Sequence, residues 1–152
     1  MIGNWFIAEI PGEVGQSYID FFSIGHLCGG IAIFLFFSLL YTIPMSKEEG
    51  TSQVYLPLWA VWIITVAIGI LWELLENTIL YDLGLKFEFR LDSLQNLVMD
   101  IIFVAVGAAS SWVFAHLLFR YHKSPWPYYV FGIINVILWL GVFVIWRYTT
   151  LG

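Results

Sequence analysis

Charge is scarce in this chain. Of its 152 residues only 11% are Asp, Glu, Lys or Arg, less than half of the roughly 25% usual in a soluble domain. That excludes an ordinary water-facing surface over the whole molecule. A single cysteine, Cys28, excludes an internal disulfide and any cysteine-based zinc site. It sits in an apolar run and reads as a small buried hydrophobe. Six Lys and Arg against 11 Asp and Glu give a net charge of −5, which is not the basic face that a nucleic acid needs. HExxH, P-loop and GxSxG patterns are absent, so a serine nucleophile has no support. The N-terminal stretch MIGNWFIAEIPGEVGQ has no Lys or Arg and only a short, broken apolar run. The first long apolar run is therefore expected to stay in the mature protein rather than leave with a signal peptide.

What is present points to a bilayer as solvent. The chain is 61% hydrophobic and 19% aromatic, with eight Trp, and its mean hydropathy is +0.86. The reading is an all-α integral membrane protein, a single domain over residues 1–152 built as a bundle of four transmembrane helices. Residues 1–18 are too short and broken to span and are expected at the interface, with Trp5 and Phe6 as anchors. Apolar runs over about 19–43, 56–80, 94–119 and 128–147 are each long enough to cross. Gly25 and Gly29 on the first run form a small-xxx-small pair that permits close helix approach. Pro57 suits the first turn of the second run, SKEEGTSQ at 46–53 reads as a solvated loop, and RYHKSPWP breaks the third run from the fourth. Four spans place both termini on one side, here called side A. The positive-inside count assigns no orientation, because Lys47, Arg120 and Lys123 on one side balance Lys86, Arg90 and Arg147 on the other.

Against this apolar background the stretch from Trp72 to Asp100, WELLENTILYDLGLKFEFRLDSLQNLVMD, stands out. Ionisable groups at membrane depth are costly and mark function. From helix rise, His26 lies roughly 9 Å in from side A, Glu76 and Glu73 roughly 6–10 Å, and Asp100 at a similar depth. Three helices thus offer ionisable groups at one level. Glu73 and Glu76, three apart, project together, and Asn77 joins them. Asp92, Asn96 and Asp100 share a face at intervals of four. So many carboxylates in one pocket cannot all ionise unpaired, which implies retained protons or a bound cation. Oxygen-rich ligands without thiolate favour Ca²⁺, Mg²⁺ or Mn²⁺ over zinc. The candidate metal ligands are Glu73, Glu76, Asp92 and Asp100. His26 is the candidate general base, since imidazole titrates near neutrality, with Glu73 as the second catalytic candidate. Asn77, Asn96 and Arg90 are candidates to orient ligand or substrate, Arg90 by contacting a phosphate or pairing with Asp92. Asp20, Asp82 and Glu88 read as interface residues, and His116 and His122 as lipid-head contacts at the other face.

His26, WELLEN (Trp72–Asn77) and DSLQNLVMD (Asp92–Asp100) resemble the motifs of an uncharacterised bacterial membrane family, a His followed by WExxEN and DSxxNSxxD, with Leu97 where that pattern has its second Ser. More distantly, WELLE at the end of one helix, an acidic entry to the next and an earlier His resemble base-exchange phosphatidylserine synthases. That resemblance implies Ca²⁺-dependent exchange of phospholipid head groups, with Glu73, Glu76, Asp92 and Asp100 near the acidic pattern and His26 as counterpart of the catalytic His. The chain is shorter than those enzymes and lacks their Cys-Trp-Trp stretch. Arg90, Asp92, Asn96 and Gly107 also resemble the VanZ-like pattern. A prokaryotic cell membrane is the location these resemblances imply.

The expected function is a metal-dependent enzyme, a transferase or phosphodiesterase, acting on a phospholipid or other lipid-linked head group, with a divalent cation, Ca²⁺ ahead of Mg²⁺ or Mn²⁺, as cofactor. The alternatives are a small cation or proton transporter or channel, and a protein that binds lipid-linked intermediates without turnover. Membrane lipids are the expected partners, nucleic acid is not, and a homo-oligomer fits the small number of spans.

Overall fold

The computed structural model describes residues 6–45, 56–86, 89–121 and 124–150, without the side chains of 41–45, 143 and 145–150. Trp5, the 46–53 loop, Glu88 and His122 lie outside the described residues. The architecture is all-α. Four helices, α1 (Phe21–Met45), α2 (Leu58–Leu75), α3 (Leu94–Arg120) and α4 (Trp126–Thr150), follow a short 3₁₀ turn at Pro11–Glu13, and a π-helical turn, Glu76–Leu80, prolongs α2. Three helical segments, Phe21–Leu40, Leu58–Leu80 and Leu94–Arg120, are long and apolar enough to cross a membrane, and Trp126–Val142 is a shorter apolar helix. The chain is a helical membrane protein.

Helix α1 is central. Its apolar window is 56% buried against 28% for those of α2 and α3, and it packs on all three other helices, most extensively on α3. The close approach to α3 falls at Gly30, not at the Gly25/Gly29 pair that the sequence offers. A methyl group on Gly30 would meet the Val104 carbonyl, and one on Gly107 of α3 would meet the Leu27 carbonyl. One residue is about 100° of helix rotation, so Gly29 faces elsewhere, against the Trp139 indole of α4. Gly69 of α2 closes on the Val104 side chain at the same level. Small residues here let helix backbones touch, which is how helices associate in lipid, where no hydrophobic force draws them together.

Along the bundle the contacts run in order. Ser38 meets Tyr128, with 2.7 Å between the hydroxyl oxygens, Leu35 lies against Gly132, and Gly29 against Trp139, so α4 runs antiparallel to α1. This end holds the apolar core of Phe34, Leu58, Val61, Ala108, Ala115 and Tyr128. The opposite end is polar. There the start of α1, the end of α2 and the start of α3 meet beneath a cap made of residues 6–20 and, in the 81–93 connection, the described residues 81–86 and 89–93. The cap is held by an isolated parallel bridge between Ile7 and Ile19 and by Arg90, which donates to the carbonyls of Gly12 at 2.8 Å and Val14 at 3.0 Å.

Candidate functional site

Helix ends place the site residues. Asp20 and Ser23 cap α1 reciprocally: Asp20 N–H donates to Ser23 Oγ and Ser23 N–H to Asp20 Oδ1, each at 3.1 Å. Such a box satisfies amides that a helix start leaves without partners. It fixes the entry of α1 and so the position of His26, which is buried. Ser93 caps α3, accepting from the Asn96 N–H at 3.3 Å, and its own N–H donates to Gly15 O at 2.7 Å. That sets Asp100 two turns into α3. Glu73 lies in the last turn of α2, just before the π turn. Widened turns of this kind recur at functional sites, and this one brings Glu76 and Asn77 inward beside Glu73.

The buried line of the site runs from α2 through α1 to α3. Glu73 Oε1 stands 3.5 Å from His26 Nδ1, and His26 Nε2 stands 3.7 Å from Asp100 Oδ2. The other Asp100 oxygen accepts from Ser23 Oγ at 3.0 Å. Glu73 is 2% exposed. Its Oε2 faces Asn77 Nδ2 at 3.5 Å, while Oε1 has no hydrogen-bond partner. A buried carboxylate oxygen left without one costs about 1–3 kcal/mol or more and calls for an explanation, an ion or water among them. Ligand atoms of His26, Glu73 and Glu76 all lie within 4.8 Å of one another. This grouping can hold a metal ion, and the cleft beside it has room for roughly one small ion or water.

Lys86 forms a second, tighter arm. Its ammonium lies 2.6 Å from Asp92 Oδ2 and 3.2 Å from Glu76 Oε1. Asn77 closes this arm, donating to Asp92 Oδ2 at 3.0 Å and accepting from the Asp92 N–H at 2.9 Å. Burial alone would lower the Lys86 pKa, but the adjacent Glu76 and Asp92 carboxylates outweigh it and hold the ammonium above the ordinary lysine range.

Comparison with protein-family models, with curated proteins and with solved structures finds no match to this chain.

The arrangement differs in detail from the one expected. Of the four carboxylates expected as ligands, Glu73 and Glu76 join the grouping with His26. Asp92 is instead held by Lys86 and Asn77, and Asp100 by Ser23 on the far side of the imidazole. Arg90 does not pair with Asp92. It binds backbone carbonyls of the cap, because Lys86 is already on the carboxylate. Asn77 does bridge Glu73 and Asp92, whereas Asn96 donates to Ser17 O at 3.0 Å and Asp20 Oδ2 at 3.3 Å and so secures the cap. Asp20, read as an interface residue, is buried. Its signal was present: Asp immediately before an apolar run, with Ser three residues on, is a helix start. Lys86, counted only as a loop charge, is the larger miss. The alternation Leu85-Lys86, then Phe89-Arg90-Leu91-Asp92, was the available signal, since it puts Lys86, Arg90 and Asp92 on one side.

Proposed function

We propose that the protein is a divalent-cation-dependent membrane enzyme acting on the phosphodiester of a lipid head group, by transfer or hydrolysis. The observation that carries this is the convergence of His26, Glu73 and Glu76 on one point, with the buried Glu73 Oε1 lacking any other partner. The residues fit a cation: two carboxylates and an imidazole supply the donors, and the orphaned oxygen would gain the partner it lacks. Glu73, Glu76 and His26 would hold the ion, which would supply neutralisation of phosphate oxygens as charge develops. Asp100 faces His26 Nε2 at 3.7 Å while Nδ1 is directed at Glu73, a placement like the carboxylate–histidine pairs common behind metal ligands. His26 thus serves as a ligand in place of a general base. Asn77 ties the Glu73 backbone carbonyl to Asp92, and Lys86 offsets the negative charge at the mouth. An imidazole donor and room for about one ion shift the preference from Ca²⁺, which takes six to eight oxygens, toward a smaller cation such as Mn²⁺.

The fold itself reads as four membrane spans with both termini on side A, the side of the cap, where lipid phosphates lie. The resemblance of WELLEN and DSLQNLVMD to base-exchange phosphatidylserine synthases supports a head-group substrate. The backbone crossing of Gly30 with Val104 and of Gly107 with Leu27 lies directly beneath the site. Helices this close leave little room for a path between α1 and α3, which favours a one-sided pocket over the transporter reading. The test is purified protein incubated with Mn²⁺, Mg²⁺ or Ca²⁺ and labelled phospholipids, alongside its metal content before and after a chelator. Cation-dependent conversion lost in Glu73→Gln is expected. Cation uptake without conversion of any lipid would sink the enzyme while leaving the site.

A further inference from the structure

The cap over the site is built inside out. In the 81–93 connection the apolar side chains Leu83, Leu85, Phe89 and Leu91 are exposed, Phe89 at 67%, while Lys86 is only 6% exposed. Arg90 turns its guanidinium onto cap carbonyls, and Asp92 turns to Lys86. The N-terminal half of the cap repeats the inversion, with Phe6, Ile7 and Ile10 outside and Ser17 and Asp20 buried. A segment bathed in water sorts its residues the other way. Phe89 is also the single non-glycine residue with positive φ among the described residues, at 51°, an unfavourable backbone shape.

We propose that this cap lies within the head-group layer of the bilayer, its apolar side chains in lipid, so that the cleft opens onto lipid head groups rather than bulk water. The occupant of this surface is the bilayer itself, because the apolar surface is continuous with the spans. Leu94, the first residue of α3 and 78% exposed, and Ile79, in the π turn that prolongs α2, flank it along the chain. At 1.5 Å per residue the 27 residues of α3 measure roughly 40 Å, which matches a bilayer with its head-group layers rather than the roughly 30 Å hydrocarbon core alone. Exposed Glu9 and Asp82 mark the watery limit. The cations of this connection, Lys86 and Arg90, face inward, so attachment rests on apolar insertion and not on attraction to anionic lipid. None of this depends on a cation at His26.

The experiment places nitroxide labels on single cysteines in the full chain, in a Cys28→Ala background, reconstituted in phosphatidylcholine vesicles. Labels replacing Leu85, Leu91 and Ile10 are expected to collide with oxygen several-fold more than with a water-soluble nickel chelate, and labels replacing Asp82 and Glu9 to show the reverse. Chelate access at Leu85 and Leu91 equal to that at Asp82 would overturn the proposal. So would exclusion of both reagents there with spin–spin broadening between molecules, which would mean that a second copy covers the cap. Phe89 is left unsubstituted because of its backbone, and matched unfolding midpoints confirm that each labelled protein is folded.

Discussion

On one arm of the site, Asp92 Oδ2 takes Lys86 Nζ at 2.6 Å and Asn77 Nδ2 at 3.0 Å. On the other, Glu73 Oε1 has only His26 Nδ1, at 3.5 Å, beyond a good hydrogen bond. The His26 arm is buried and the Lys86 arm partly so, both carry carboxylates, and Asn77 links them. They differ in closure. The Lys86 arm is paired with a built-in cation and ties the 81–93 connection to the ends of α2 and α3. In the His26 arm Glu73 Oε1 is left without a hydrogen bond, next to a cleft with room for about one ion that His26 and Glu76 line. A closed network specifies structure, whereas a buried oxygen left unsatisfied calls for an explanation, an ion or water among them.

Breaking the closed arm is expected to give the largest effect. Lys86→Met leaves Glu76 and Asp92 without their cation, and removing one partner of a buried pair costs about 3–5 kcal/mol. The lower end applies, since the Glu76 and Asp92 side chains keep 19% and 12% exposure. Reversible unfolding in detergent measures it, and adding Asp92→Asn should restore part of the loss. Breaking the open arm should behave otherwise. Glu73→Gln is expected to weaken cation binding about 100-fold, or roughly 2.7 kcal/mol, as read by calorimetric titration with Mn²⁺. The metal-free unfolding midpoint should stay level or rise, because an unsatisfied buried carboxylate has gone. If Glu73→Gln destabilises the metal-free protein as Lys86→Met does, the two arms are alike and the contrast fails.

The floor beneath the open arm comes next. Gly30→Ala puts a methyl group into the Val104 carbonyl, and overpacking of this kind costs about 1–3 kcal/mol. Gly12→Ala, with nothing within 4 Å of its added carbon, is the neutral control in the same unfolding assay.

The α-helical class and the extents of the long apolar helices were legible because lipid demands about 20 apolar residues per crossing. That demand is written plainly in the runs before Pro44 and after Pro57. The common depth of His26, Glu73 and Asp100 was legible too, since alternation of direction and helix rise give depth without any contact map. Depth does not give azimuth, however, and azimuth decides partners. Asp100 and Glu76 share a level, yet only Glu76 shares the His26–Glu73 point, because the imidazole stands between Glu73 and Asp100. Lys86 escaped for a different reason. Its inward turn depends on a loop conformation, and it goes against the usual rule that loop charges face water, which Asp82 in the same connection obeys.

Asp100 belongs to both kinds of network, and its substitution tests the comparison most finely. One oxygen is firmly held by Ser23 Oγ at 3.0 Å, and the other lies 3.7 Å from His26 Nε2. Asn at this position keeps an acceptor for Ser23, so Asp100→Asn should leave the cap and the unfolding midpoint nearly unchanged. It replaces the carboxylate oxygen that faces His26 Nε2, and second-sphere changes of that sort cost about 10-fold or more in metal affinity. Titration with Mn²⁺ should therefore show a loss of about 10-fold, smaller than that for Glu73→Gln. An imidazole nitrogen shift measured by NMR should report a changed tautomer at His26. A large loss of stability with unchanged affinity would place Asp100 wholly in the structural network. A 10-fold loss of affinity at constant stability would make it the carboxylate that aims the histidine.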